Sequence, residues 1–353
     1  MVVQFTGGAK MQDHVGIAGV GTYLPKRYMT AKELASLTGI DEAVIIDKFG
    51  VKGKYVPGEG DTTSYMGIMA TREAIKNAGI DPSDIDVVIW NGAQHKDYPC
   101  WLACTKVAHE INATKAWAFD MEAMCGSMIV GLQVARSIML SEKNVNTVLL
   151  VSGYRNFDLV NHKYNATSFM FDIGASGAAL VLKKNHGANV VLGVSSIVDG
   201  SFAEDCIVPV GGTKKWPMKP EDVGEYYFHL RDLESFKEKL NRVTLNNFYF
   251  VIDDALRKSG LSRKDISYLA ILHFKRSAHL EVLTQLGLRQ DQSFYLEEYG
   301  HMGQNDQVFS LQEGLRRGRV KDGDVVVFVG AGVGWTWNAA VVRWGKIREP
   351  ISW

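Results

Sequence analysis

The feature that most constrains this chain is an approximate internal repeat whose two copies lie about 180 residues apart, too long for a solenoid and suited to two fused half-domains. The first copy contains Ala74-Ile75-Lys76-Asn77-Ala78-Gly79, then Asp84-Ile85-Asp86 and the apolar Val87-Val88-Ile89-Trp90. The second contains Ala255-Leu256-Arg257-Lys258-Ser259-Gly260, then Asp265-Ile266-Ser267 and Tyr268-Leu269-Ala270-Ile271-Leu272. In each copy a helix should end at glycine and a buried strand should follow. Further on, Leu132-Gln133 and the strand Thr147 to Val151 find counterparts in Leu311-Gln312 and Asp324 to Val329, and Ala178 to Leu182 matches Ala339 to Arg343 more loosely. Helices alternating with short, continuously apolar strands predict an α/β protein of two pseudo-symmetric halves, 14–184 and 185–353, with sheets covered on both faces.

The repeat also predicts what faces what. Cys125, in Asp120-Met121-Glu122-Ala123-Met124-Cys125-Gly126-Ser127, stands where a turn enters an apolar helix whose Ile129, Val130, Leu132, Val134, Ile138 and Met139 recur at helical spacing. The positive end of a helix dipole favours an anionic sulfur, so the position suits a nucleophile; the alternative is a small buried hydrophobe. Shifting Cys125 by the spacing between Gln133 and Gln312 lands on Gln304, within Tyr299-Gly300-His301-Met302-Gly303-Gln304-Asn305-Asp306, which should therefore also precede a helix. The same logic places His273 at the end of the second-copy strand, matching the Asn91 region that ends the first. Cys125, His273, His301 and Asn305 are thus predicted to converge.

Three readings of this group stand side by side: a nucleophilic acyl-transfer site, a metal site, or coincidence. Metal binding is disfavoured because no CxxC, HxxxH or HExxH spacing occurs, and Cys100 and Cys104 suit one face of a core helix. For His273 the alternative is a satisfied core histidine, and for Gln304, Asn305 and Asp306 it is helix capping. Gly330-Ala331-Gly332-Val333-Gly334 follows a strand, but Trp335 to Val342 after it forms another strand where a nucleotide loop needs a helix. It fits instead a tight turn that brings backbone N–H groups to a ligand. Lys plus Arg and Asp plus Glu both total 39, which gives no reason to propose nucleic acid as partner. With four cysteines, no signal-like apolar run in Met1 to Met11 and no membrane segment in view, the expectation is a soluble cytoplasmic protein.

These residues together resemble the thiolase-like condensing enzymes, and most closely the β-ketoacyl-[acyl-carrier-protein] synthase III family. Gly16 to Pro25 resembles its first strand and turn, Met124-Cys125-Gly126-Ser127 its nucleophile turn, Gly332-Val333-Gly334-Trp335-Thr336-Trp337 its closing turn, and Tyr98-Pro99 the step that enters the neighbouring subunit's acyl pocket. The resemblance implies a five-layered αβαβα fold, a homodimer and an acyl thioester on Cys125. It further implies an oxyanion hole from the N–H groups of Cys125 and Val333, with Tyr98, Gly332 and Gly334 at the substrate pocket and His273 stabilising an enolate. No cofactor is implied; acyl-CoA and a malonyl-type thioester are substrates, with an acyl carrier protein as a further partner. Three departures accompany it. His301 stands where the family has asparagine, with Asn305 as a substitute candidate. The Gly-His step is also similar to the thiolases, whose second cysteine is missing here. Ala43 replaces the tryptophan that stacks on the coenzyme A adenine, and Lys214, Lys215, Trp216 and Arg276 are candidates to bind coenzyme A instead, against the alternative of a solvated charge pair beside a packed aromatic. The implied reaction is a Claisen condensation giving a β-ketoacyl thioester. Non-decarboxylative condensation, acyl transfer to a hydroxyl or amine, and a non-catalytic carrier-binding subunit are the alternatives.

Overall fold

The computed structural model describes residues 13–346; Met1 to Met11, considered above for a leader sequence, and residues 347–353 of the second half lie outside them. The first half contributes strands β1 (Val15–Tyr23), β2 (Val87–Trp90), β3 (Trp117–Asp120), β4 (Thr147–Tyr154) and β5 (Ser176–Lys184). The second contributes β6 (Ala188–Val198), β7 (Tyr268–Ile271), β8 (Val325–Gly332) and β9 (Thr336–Lys346). They lie in the order β3-β2-β4-β5-β1 and β7-β8-β9-β6, and a pairing of Gly16 with Val190 joins the halves into one nine-stranded sheet. In both halves the central pairs are parallel (β2 with β4, β7 with β8) and the last hairpins antiparallel (β4 with β5, β8 with β9), so the repeat extends to strand direction.

Six helices complete the layers: α1 (Thr63–Ala78), α2 (Ala103–Glu110), α3 (Ser127–Ser141), α4 (Leu233–Lys258), α5 (Arg276–Gln285) and α6 (Asp306–Arg316). Ala70, Ala74, Cys104 and Val107 of α1 and α2 pack on the outer face of the first half. Met128, Ile129 and Leu132 of α3 meet Val308 and Leu311 of α6 between the two halves, and Val251, Ala255 and Val282 of α4 and α5 cover the outer face of the second. This is the expected αβαβα layering. Helices pressed this closely on strands need glycine beneath them. A Cβ on Gly19 would come within 2.2 Å of the Ala74 carbonyl, and one on Gly193 within 2.5 Å of the Ala255 carbonyl, the same step of the repeat in each half.

One expectation changes. Cys100 is exposed and lies before α2 rather than sharing its buried face with Cys104. Met124–Ser141 is long and apolar enough by composition to cross a membrane, but half of it is buried in the middle layer, where α3 packs on both halves.

Candidate active site

Cys125 occupies a 3₁₀ turn, Met124–Gly126, that runs directly into α3, and the pseudo-equivalent turn Gly303–Asn305 runs into α6. Met124 adopts φ +48°, an uncommon conformation for a residue with a side chain, so strain is concentrated next to the sulfur. Ser127 holds that conformation: its Oγ accepts the Ala123 N–H at 2.8 Å and donates to the Met124 carbonyl at 2.7 Å.

The segment before α6 brings His301 to the sulfur. His301 is held by its main chain, donating its N–H to the Asp172 carbonyl at 3.0 Å and accepting the Gly174 N–H at 2.9 Å. Its Nε2 lies 3.2 Å from Cys125 Sγ, and its Nδ1 lies 2.7 Å from Asp306 Oδ2. Asp306, the first residue of α6, is fully buried and also accepts the Met302 N–H and the His273 N–H, each at 2.7 Å. A carboxylate gripped in this way fixes the imidazole with Nδ1–H towards Asp306 and Nε2 towards the thiol. The arrangement has the geometry that acyl-transfer chemistry asks of a nucleophile, a base and an orienting carboxylate. Burial opposes a charge on His301, but Asp306 and Cys125 outweigh it and hold the pKa well above 6.5. Tyr154, at the end of β4 and 1% exposed, directs its hydroxyl to the Cys125 sulfur; burial and then the Cys125 and Asp306 charges push its pKa well above 10.0, leaving it a donor.

Several expected members of the site are placed differently. His273 is adjacent, but its fully buried ring is bonded elsewhere: Nε2 approaches the Phe49 carbonyl at 3.3 Å and Asp172 Oδ2 at 3.6 Å. Burial, reinforced by the His301 charge, pushes its pKa down to about 3, so it is neutral. Asn305 is buried and donates its amide to Ser176 Oγ at 3.0 Å, leaving the polar role to Asp306 one residue on, the position that begins α6. Lys214 pairs with Glu204, Lys215 with Asp222 at 2.6 Å and Glu225 at 3.2 Å, and Arg276 with Glu297 while lying over the Tyr295 ring at 4.4 Å. Each of these three cations therefore has a carboxylate partner, and Trp216, next to Lys215 in the chain, is 73% exposed. Tyr98 is 65% exposed, with its ring edge-on to Trp101.

The closing turn meets the nucleophile turn as expected. A Cβ on Gly332 would fall 2.8 Å from the Cys125 nitrogen and 2.9 Å from the Ala123 carbonyl, which places Gly332 against the backbone of the Met124–Gly126 turn. Gly332→Ala is therefore expected to displace the nucleophile turn and slow acylation of Cys125 about 10²-fold while the protein still folds. Single-turnover thiol release would measure this; an unchanged rate would show that the two turns are not in functional contact.

Beneath His301 lies a buried polar cluster that sequence patterning did not reveal. Lys54 is completely buried and donates its ammonium to the Phe171 and Ile173 carbonyls, both at 2.8 Å, on either side of Asp172. Burial pushes Lys54 down to about 7 and Asp172 up to about 6. Its sequence setting, Gly53-Lys54-Tyr55, looks like an ordinary solvated edge strand; the signal available was the polar turn Phe171 to Gly177, which needs an internal partner for its carbonyls.

Burial also pushes His162 and His279 down to about 4, so three histidines, with His273, fold in their neutral form. Between their folded values and the unfolded value near 6.5 the unfolded chain binds the additional protons, so their stability contribution is complete above that value and is lost as pH falls. Each steepens the loss by about 1.4 kcal/mol per pH unit. His279→Phe, remote from the sulfur among Phe274 and Tyr295, should flatten the decline by that amount between about pH 6 and 4.5 in urea titrations. An unaltered slope would contradict neutral burial.

Comparison with known proteins identifies the relatives of the chain. The family model for 3-oxoacyl-[acyl-carrier-protein] synthase III matches residues 119–200, and that for its C-terminal part matches residues 256–344. A β-ketoacyl-[acyl-carrier-protein] synthase III of Roseiflexus castenholzii is 30% identical over 339 residues, covering 95% of this chain and 99% of its own. Among solved structures, 3-oxoacyl-[acyl-carrier-protein] synthase III of Aquifex aeolicus superposes with a TM-score of 0.81 at 22% identity, covering 94% of this chain and 100% of that one. The priming β-ketosynthase of the R1128 polyketide pathway superposes with a TM-score of 0.83 at 20% identity, covering 96% and 99%. With near-complete coverage of a relative at that identity, and with the nucleophile turn and closing turn in contact, the chain belongs to the 3-oxoacyl-[acyl-carrier-protein] synthase III family of condensing enzymes.

Proposed function

We propose that this member of the family catalyses a Claisen condensation through an acyl thioester on Cys125, and that His301 with Asp306 drives the thiol chemistry. The observation that carries the reading is the run from Cys125 Sγ through His301 to Asp306, at 3.2 and 2.7 Å. His301 takes the thiol proton, the sulfur attacks an acyl-CoA, and the N–H groups of Cys125 and Val333 hold the oxyanion, each donor supplying about 3–4 kcal/mol. His301 then returns the proton to the departing thiol. A malonyl-type thioester, carried by coenzyme A or an acyl carrier protein, loses carbon dioxide while His301, reprotonated from solvent under the pull of Asp306, offers Nε2–H as a hydrogen bond to the enolate oxygen; the carbanion attacks the acyl thioester, and collapse of the adduct breaks the C–S bond, releases the β-ketoacyl thioester and returns the His301 proton to the Cys125 sulfur. The donor role expected of His273 thus falls to His301, because the Phe49 carbonyl occupies the His273 Nε2. No metal or organic cofactor enters the sequence. The exposed Tyr98 supports a homodimer in which it reaches the neighbouring subunit's pocket.

Labelled malonyl thioester supplied to acylated enzyme should release labelled carbon dioxide in step with ketoacyl product. Ketoacyl product formed from two acyl-CoAs without release would establish a non-decarboxylative condensation instead.

A further inference from the structure

The imidazole that faces the sulfur is suited to a second task. Asp306 is held by two main-chain N–H groups and accepts His301 Nδ1–H, so a neutral His301 carries its lone pair on Nε2. A ring locked in that tautomer takes a proton from an acceptor, whereas enolate stabilisation needs it charged. The other histidine near the site does not alter this, since its Nε2 lies against the Phe49 carbonyl. Tyr154 offers the sulfur a hydroxyl donor but no base.

We propose that the same site also transfers the Cys125-bound acyl group to an oxygen nucleophile, an alcohol or water, with His301 as general base. This rests on Cys125 being the acylated residue, as above, but not on condensation. The acceptor O–H gives its proton to His301 Nε2 and its oxygen attacks the acyl carbon. Collapse of the tetrahedral intermediate breaks the C–S bond, and His301 returns the proton to the Cys125 sulfur. Atoms and charge balance without a further reactant.

The two fates of the acyl-enzyme divide on the charge of His301. The groups that bear on it are Cys125 from the nucleophile turn, Asp306 from α6, Asp172 from the turn before β5, His273 from the end of β7 and Tyr154 from β4. Acylation removes the Cys125 influence, one of those that favour the imidazolium, and leaves Asp306. Transfer to oxygen should therefore rise with pH as His301 is deprotonated, and condensation should fall over the same range.

The test loads Cys125 from acyl-CoA, removes free coenzyme A, and follows the adduct by intact mass between pH 6 and 9. One arm holds buffer alone, a second contains glycerol and a third malonyl-CoA. The expected result is loss of the adduct at a rate that rises with pH. Ester in the glycerol arm assigns an alcohol as acceptor, and free acid alone assigns water. His301→Asn should lengthen the adduct lifetime in the first two arms about 10²-fold or more. Asp306→Asn serves as a second variant if His301→Asn does not fold. Equal adduct lifetimes in wild type and a folded variant, or a pH-independent rate, would overturn the proposal. Failure of condensation would appear separately, as no carbon dioxide in the malonyl arm.

Discussion

Asp306→Asn is expected to slow acylation of Cys125 about 10³- to 10⁴-fold while the protein remains folded. Asp306 is the shared acceptor for Met302 N–H, His273 N–H and His301 Nδ1–H, at 2.7 Å in each case. An asparagine keeps one oxygen. With that oxygen on Met302, its NH₂ meets His273 N–H and the imidazole, which forces His301 into the tautomer with Nε2–H against the sulfur. The base is then lost although every heavy atom is in place. The unpaired His273 N–H should cost about 1–3 kcal/mol of stability, which thermal melts would register. Rapid-quench measurement of coenzyme A release gives the rate; a fall of less than about tenfold would show that orientation by Asp306 contributes little.

Lys54→Met is expected to destabilise the protein by about 3–5 kcal/mol and to lower activity even where the protein stays folded. Methionine fills most of the space but leaves the Phe171 and Ile173 carbonyls unpaired and Asp172 without its buried cation. These carbonyls flank the residue that accepts the His301 N–H, so the change loosens the strip that aims the imidazole. Lys54→Arg, which retains donors and charge in a larger head, should recover part of the activity at some cost in packing. Urea unfolding at pH 7.5 combined with acylation rates would separate the two effects. A Lys54→Met protein of wild-type stability would mean that the cluster carries no structural weight.

Much of the frame was legible because a duplicated chain supplies its own test. Gln304, reached by shifting Cys125 along the repeat, lies in a 3₁₀ turn that opens α6 as the cysteine turn opens α3. Periodicity located those helix starts, but it could not tell which polar residue there faces inward. Asn305 and Asp306 are adjacent and both suit capping; which one meets His301 depends on where the 3₁₀ turn ends, a matter of one residue. His273 was placed at the correct strand end, yet the direction of its ring depends on the Phe49 carbonyl, more than two hundred residues away in sequence. Tyr154 was missed because a buried tyrosine at a strand end looks like core, and Lys54 because short strands with alternating charge ordinarily lie in water. The lysines at 214 and 215 show the converse: their sequence setting did not disclose the carboxylates of Glu204, Asp222 and Glu225 that pair with them.

The most direct test is peptide-level mass spectrometry after incubation with a panel of acyl-CoAs, on wild type and Cys125→Ala. The expected result is one acyl adduct per chain, carried on the Cys125 peptide and absent from the variant. A folded wild-type protein that takes up no acyl group, or takes it up on another residue, would contradict the assignment of Cys125 as nucleophile.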